Sequence, residues 1–283
     1  MKTILKTANG HENTRIQICS LYLRPSAVKS FPALCVLCVF VVIFYSFMPG
    51  HIVALGGGGF SMEPDNLALD RYILSLWRRL DREPRVCFIP TASGDSDDYV
   101  RRFHIAFERL PCIPTHLALS DLQETNPISA VFESDIFYVG GGNTREMLAL
   151  WRRCGLDEAL KTAWQTGKIL CGISAGAICW FEQAISDSVV EGELHPLKCL
   201  GFLPGTACPH YDEPGRRETF HRCLASGDVS AGHGIDNSVA LHFEGRKLVN
   251  MVVSRPGARA YHVALVNGKV LETVMRTEGG EGI

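Results

Sequence analysis

The sequence predicts an α/β domain built on a mostly parallel sheet covered on both faces, with antiparallel strands added at its C-terminal end. Three observations lead there. From His51 onward, short runs of near-continuous Val, Ile, Leu and Phe alternate with longer amphipathic runs, the pattern of strands buried on both faces between covering helices. Glycine-rich turns close two of the apolar runs, at 56–59 and 140–142. After residue 237 the helical spacing gives way to short apolar runs joined by turn pairs such as Glu244-Gly245 and Asn267-Gly268.

The elements follow in order. Residues 52–55 read as a strand ending in a glycine loop. Residues 65–80 have helical spacing, with Leu69, Ile73, Leu76, Trp77 and Leu80 on one side. A strand at 85–90 enters the polar loop 91–95, and a helix over 97–110 leads to a strand at 115–119. The strand 135–139 enters Gly140-Gly141-Gly142-Asn143-Thr144, and helices over 145–153 and 156–166 are separated by Gly155. Residues 168–172 form a strand and 175–183 a helix. Strands are expected at 238–243, 248–253, 260–266 and 269–274, and the second half is expected to extend the same domain. Sheets of this type carry their sites at the carboxyl ends of their strands.

Composition narrows the function classes. With 283 residues, 46% of them hydrophobic, the chain has ample length for a core and is globular. The 28 basic and 30 acidic residues nearly cancel, and a net charge of -2 offers no electrostatic footprint for nucleic acid. The arginine pairs at 78–79, 101–102 and 152–153 read as solvated helix faces. The 11 cysteines sit mostly in apolar contexts, as Cys87 and Cys171 do, and read as small buried hydrophobes in a reducing compartment rather than a disulfide framework. No His pair has H-E-x-x-H spacing, and no G-x-x-x-x-G-K-[ST] is present, so neither a metal nor a nucleotide cofactor is expected.

The first 50 residues differ from the rest. Residues 31–48 are almost wholly apolar and long enough to span a bilayer, preceded by Lys2, Lys6, Arg15, Arg24 and Lys29. One reading is a membrane anchor with its N-terminus in the cytoplasm. The other is an upstream extension absent from the working protein, because Met48 stands directly before the first strand with almost no linker. The domain is therefore expected to span 51–283, in the cytoplasm unless the apolar segment anchors it.

The chemistry concentrates at Gly172-Ile173-Ser174-Ala175-Gly176, a G-x-S-x-G between a strand and a helix. Such a turn strains the serine backbone, so small neighbours two residues away on each side are required, and the amide of Ala175 at the helix start can stabilise an oxyanion. A serine N-cap with packing glycines is the plain alternative. The loop with Gly141, Gly142 and Asn143 is a candidate second oxyanion donor and substrate contact, since glycines allow close backbone approach. A serine needs a base. His210, in the polar loop Cys208-Pro209-His210-Tyr211-Asp212, stands out among ten histidines, with His195 and His233 as weaker alternatives.

GGGNT, then GISAGA about thirty residues later, then a Pro-His loop and a Gly-Ile-Asp segment together resemble the aspartyl dipeptidase (peptidase E) and cyanophycinase family of serine peptidases, over roughly residues 51–283. The resemblance implies a flavodoxin-like three-layer sandwich similar to class I glutamine amidotransferases. It also implies Ser174 as nucleophile, His210 as base, and Gly141, Gly142 and Ala175 around the oxyanion. For the acid, one family pattern matches Asp187, while the position where another has glutamate is Asn237 here, with Asp236 beside it. Arg217 resembles an arginine that could meet a substrate carboxylate in a bidentate fork, and the start of a surface helix is the plain alternative. The expected activity is cofactor-independent hydrolysis of small peptides, including those with an acidic first residue. An esterase or amidase, and a non-catalytic binding module of the same fold, are the alternatives.

Overall fold

The computed structural model describes residues 50–79, 81–119, 131–190 and 192–276, all within the compact unit Pro49–Ile283. The apolar segment 31–48 and the boundary expected near residue 50 fall on or against residues outside this set. Among the described residues no helix is long and apolar enough to cross a membrane.

The main sheet runs in the order β11-β10-β1-β5-β4-β2-β3. Its centre is parallel, formed by β1 (His51–Leu55), β5 (Ile169–Ile173), β4 (Ile136–Val139), β2 (Arg85–Ile89) and β3 (Ile113–His116). Two antiparallel strands, β10 (Val239–Glu244) and β11 (Lys247–Val253), close one edge. Alternation along β1 fills both faces. Ile52 and Ala54 join the core containing Trp151 and Trp180, while Val53 and Leu55 join the one containing Phe60, Phe88, Phe103 and Tyr138.

The covering helices are α1 (Gly59–Met62), α2 (Ala68–Ser75), α3 (Asp97–Phe107), α4 (Thr144–Cys154) and α5 (Leu156–Gln165). Ser96 caps α3 by accepting from the Tyr99 N–H, and Asn143 caps α4 by accepting from the Glu146 N–H. The left-handed Gly155 separates α4 from α5, as its place between the two periodic runs predicts. Helix α2 stops at Ser75, short of the expected residue 80, so Arg78 and Arg79 lie beyond it. Cys87 and Cys171 are buried free thiols, and burial pushes Cys87 up to about 12.

One expectation is corrected, and one arrangement was not anticipated. The helix expected over 175–183 is the short α6 (Ala175–Ile178), after which the chain becomes a ten-residue strand, β6 (Phe181–Val190). From Phe181 onward its backbone is paired to strands on both sides, which takes the N–H and C=O groups that a helix would pair internally. The C-terminal strands also do not all extend the first sheet. With β6, the strands β7 (Glu193–Lys198), β8 (Leu203–Pro209), β9 (Gly232–Ile235), β12 (Ala260–Val266) and β13 (Lys269–Val274) form a second sheet, ordered β13-β12-β9-β8-β6-β7. Helix α7 (Arg216–Ser226) packs on it through Phe220, Cys223 and Leu224.

On β10, His242 is buried between His51 and Tyr72, with Nε2 2.9 Å from His51 Nδ1 and Nδ1 2.7 Å from Tyr72 Oη. Burial, then the neighbouring His51, lowers its pKa to about 4. A histidine held neutral in the fold but free to charge when unfolded, near its ordinary value of about 6.5, withdraws stability as pH falls from 6.5 towards 4. His242→Gln should therefore lower Tm near neutral pH by loss of hydrogen bonds, yet show a smaller Tm drop than the parent between about pH 7.5 and about pH 5. Equal drops in the two proteins would remove His242 as a source of acid sensitivity.

Candidate active site

Ser174 follows β5 with φ 54 and ψ -112, a region that L-residues rarely occupy. The two flanking glycines are required by contact. A Cβ on Gly172 would lie 2.4 Å from the Gly176 carbonyl oxygen, and one on Gly176 would lie 2.2 Å from that of Val139. The turn is thus pressed against the end of β4, and nothing larger than hydrogen fits. The Ser174 N–H donates to the Leu55 carbonyl at 3.1 Å, which ties the nucleophile turn to the end of β1. Ala175 opens α6, so its N–H has no partner within that helix.

The loop after β4 lies alongside. A Cβ on Gly141 would be 3.5 Å from the Ser174 Cβ, so this glycine borders the serine directly. Its N–H donates to Tyr99 Oη at 3.3 Å. Gly142 has φ 136, and a Cβ there would lie 2.0 Å from the Ala92 carbonyl oxygen. Asn143 donates its N–H to that same carbonyl at 2.6 Å and spends Oδ1 on capping α4, which makes it a loop-forming residue.

His210 stands just past β8 with φ 49. Its N–H donates to the Gly56 carbonyl at 3.1 Å, one residue along from the carbonyl that holds Ser174. The structure thereby brings Ser174, His210 and the Gly141 loop to the carboxyl end of the parallel strands. The partner of His210 Nδ1 is Asn237 Oδ1, at 2.6 Å. The Asn237 amide has its own anchors, because Nδ2 donates to Asp212 Oδ1 at 3.1 Å and to Glu213 Oε1 at 3.3 Å, and its backbone N–H donates to Asp212 Oδ1 at 2.8 Å. Ionised carboxylates only accept, so the NH2 group must face them and Oδ1 must face the imidazole. His210 Nδ1 then carries the proton, and Nε2 keeps its lone pair free for a base.

The two acids expected from the sequence lie elsewhere. Asp187 is on β6 and exposed, and its carboxylate accepts from Arg216 at 3.2 Å. Asp236 is buried and accepts from the Arg259 N–H at 3.0 Å, with burial raising its pKa to about 6. Arg217 begins α7 with its guanidinium between the Tyr211 and Tyr261 rings, 4.8 and 4.6 Å from their centroids, and donates to Glu272 at 2.6 Å. The weaker base candidates lie apart, His195 beside Glu193 at 3.1 Å and His233 among Phe181, Phe243 and His262. Asn237 is the residue that sequence reasoning set aside, since an amide brings no charge to an imidazole. The signal for it is the pair of acids, Asp212 and Glu213, two and three residues after His210. Among the described residues no group of three or more His, Cys, Asp or Glu side chains is arranged to hold a metal ion.

Comparison with known proteins gives consistent results. The sequence model of peptidase family S51 matches residues 52–251. The uncharacterized peptidase YgaJ of Bacillus subtilis (strain 168) is 50% identical over 223 residues, which cover 78% of this chain and 95% of that protein. Peptidase E of Streptomyces coelicolor is 28% identical over 176 residues, 58% of this chain and 70% of that one. Among solved structures, a peptidase from an acI-B1 Actinobacterium matches with TM-score 0.64 at 19% identity, over 85% of this chain and 100% of that one. A putative peptidase E from Listeria monocytogenes EGD-e matches with TM-score 0.54 at 21% identity, over 72% of this chain and 98% of that one. At these identities the structural matches establish the three-layer α/β fold.

Gly57 borders the His210–Asn237 contact, where a Cβ would lie 2.0 Å from Asn237 Oδ1 and 3.1 Å from His210 Nδ1. Gly57→Ala should leave the cooperative unfolding transition in place while cutting peptide hydrolysis by roughly 10²-fold, the scale of a displacement of about 1 Å at reacting groups. Near-parental turnover in that variant would show that the His210–Asn237 contact is not needed.

Proposed function

The chain belongs to peptidase family S51 and is a serine peptidase, and from that premise we propose that it hydrolyses small peptides with Ser174 as nucleophile, His210 as general base and Asn237 as the residue that orients His210. The observation that carries this reading is the strained Ser174, tied to β1 one residue from the point where His210 is tied.

The chemistry follows from those positions. Ser174 Oγ attacks the scissile carbonyl carbon and gives its proton to His210 Nε2. The oxyanion is met by the Ala175 N–H and by the Gly142 N–H of the adjoining loop, the Gly141 N–H being held by Tyr99. His210 then passes the proton to the departing amine, leaving an acyl-enzyme. A water then attacks the acyl carbon and loses its proton to His210, which returns it to Ser174 Oγ as the acyl–oxygen bond breaks and the acid leaves. The cycle is closed by this chain's own groups. The unpaired, buried thiols of Cys87, Cys171, Cys179 and Cys208 fit a cytoplasmic setting for it.

An acidic first residue would need a cation to meet it. Arg217 is a poor candidate for that task, because Glu272 already takes its charge and two tyrosine rings cover its faces. We therefore read Arg217 as scaffold beneath the His210 loop, with substrates defined by small size. In a panel of dipeptides, Ser174→Ala should lower turnover by roughly 10³-fold or more without unfolding the protein. Arg217→Lys should weaken acidic and neutral dipeptides alike. Parental turnover by Ser174→Ala would end the assignment, and selective loss of acidic substrates in Arg217→Lys would return Arg217 to the binding site.

A further inference from the structure

An amide as third member leaves a physical gap. Asn237 can hold the imidazole in one tautomer, but it offers no charge to offset the imidazolium that forms when Ser174 attacks the substrate. The surroundings of Asn237 fill that gap. Glu213 Oε1 lies 3.7 Å from His210 Nδ1 and 3.3 Å from Asn237 Nδ2, so one carboxylate oxygen is within Coulombic reach of the ring and within hydrogen-bond reach of the amide. Asp212 Oδ1 accepts both the backbone N–H and the Nδ2 of Asn237, at 2.8 and 3.1 Å, fixing the amide in rotation. The acids stand two and three residues after His210 in the chain, and the Glu213 N–H donates back to the His210 carbonyl at 2.8 Å, closing a tight turn that keeps them at the ring.

We propose, building on the reading of Ser174 and His210 above, that Asp212 and Glu213 are positioning residues that divide the task of a triad carboxylate through Asn237: Asp212 sets the amide, and Glu213 supplies the negative charge at His210. The arrangement also accounts for asparagine at 237. A carboxylate there would be a third acid within hydrogen-bond distance of two others, and it would have no N–H to give them. Nearby, Asp236 interacts electrostatically with Asp212, Arg217 and Arg259, and it spends Oδ2 on the Arg259 N–H.

The test uses the full chain, a dipeptide hydrolysed by the parent, and Ser174→Ala as the blank. Glu213→Gln keeps the hydrogen-bond geometry and removes the charge. It should lower kcat about tenfold with KM little changed, the scale of one partly screened charge pair. It should also move the acid limb of the kcat/KM profile to lower pH, because an imidazolium without its counter-charge gives up its proton more readily. Asp212→Asn should lower kcat without moving that limb, and Asn237→Asp should lower kcat rather than restore a stronger triad. If Glu213→Gln keeps both kcat and the acid limb of an active parent, the division of labour is overturned and the peptidase reading stands. If Asn237→Asp equals or exceeds the parent, the two acids are not needed and the inference fails. If the parent itself hydrolyses no peptide of the panel above the Ser174→Ala blank, the peptidase reading falls first and takes this inference with it.

Discussion

Three consecutive carbonyl oxygens at the end of β1 organise the catalytic end of this protein. Leu55 accepts the N–H of Ser174, Gly56 that of His210, and Gly57 that of Ser238, at 3.1 Å in each case. All three donors have positive φ, at 54, 49 and 65, in residues that carry side chains. Each such conformation costs about 1–3 kcal/mol and persists only where the surroundings impose it. Here the imposition comes from one short stretch of main chain where the parallel strands meet the antiparallel pair. Because the three attachment points are successive residues, Ser174, His210 and the neighbour of Asn237 are set at fixed spacing by the covalent geometry of β1 itself. The glycines make this approach feasible. A Cβ on Gly56 would lie 2.3 Å from the Ile235 carbonyl oxygen, so the loop can run beneath the second sheet only without side chains.

Two buried or half-buried carboxylates brace that arrangement from either side. Glu63 is 4% exposed and accepts from Ser238 Oγ, from Ser254 Oγ at 2.9 Å and from Arg255 Nε at 2.8 Å, so it holds the residue after Asn237. Glu272, on the C-terminal hairpin, accepts from Tyr211 Oη and Arg217 and lies 2.8 Å from His221 Nε2, so it holds the residue after His210. A buried acid with several donors is costly to strip of any one of them. The second sheet thus has a role beyond completing the core. It delivers His210 at the end of β8 and Asn237 just past β9, and its outer hairpin clamps the turn that carries His210.

Much of this was legible in the sequence, and the rest was not for physical reasons. The parallel sheet, the glycine loop bordering Ser174 and the serine turn could be read because each depends on local chemistry: near-continuous apolar runs, and glycines where backbone touches backbone. The second sheet was hidden because β6 carries Glu182, Gln183 and Asp187 among its apolar residues, which blurs both periods, and because β9 is four residues long with two glycines. The partner of His210 was hidden for a different reason. Asn237 is 27 residues away from His210 in sequence, and its value comes from Asp212 and Glu213, which only the folded turn brings to its amide. Asp187 and Asp236 carry the charge expected of a triad acid, but folding assigns that charge to Arg216 and to the Arg259 backbone.

The central claim is that backbone strain and two glycine loops make Ser174 a nucleophile with His210 as its base. It is tested most directly by treating the folded chain with a fluorophosphonate and locating the adduct by peptide mapping. The account predicts one phosphonylated residue, Ser174, in the peptide containing Gly172 and Gly176, with labelling abolished in His210→Ala. A protein that hydrolyses peptides yet labels at another serine, or labels at Ser174 equally well without His210, would contradict it.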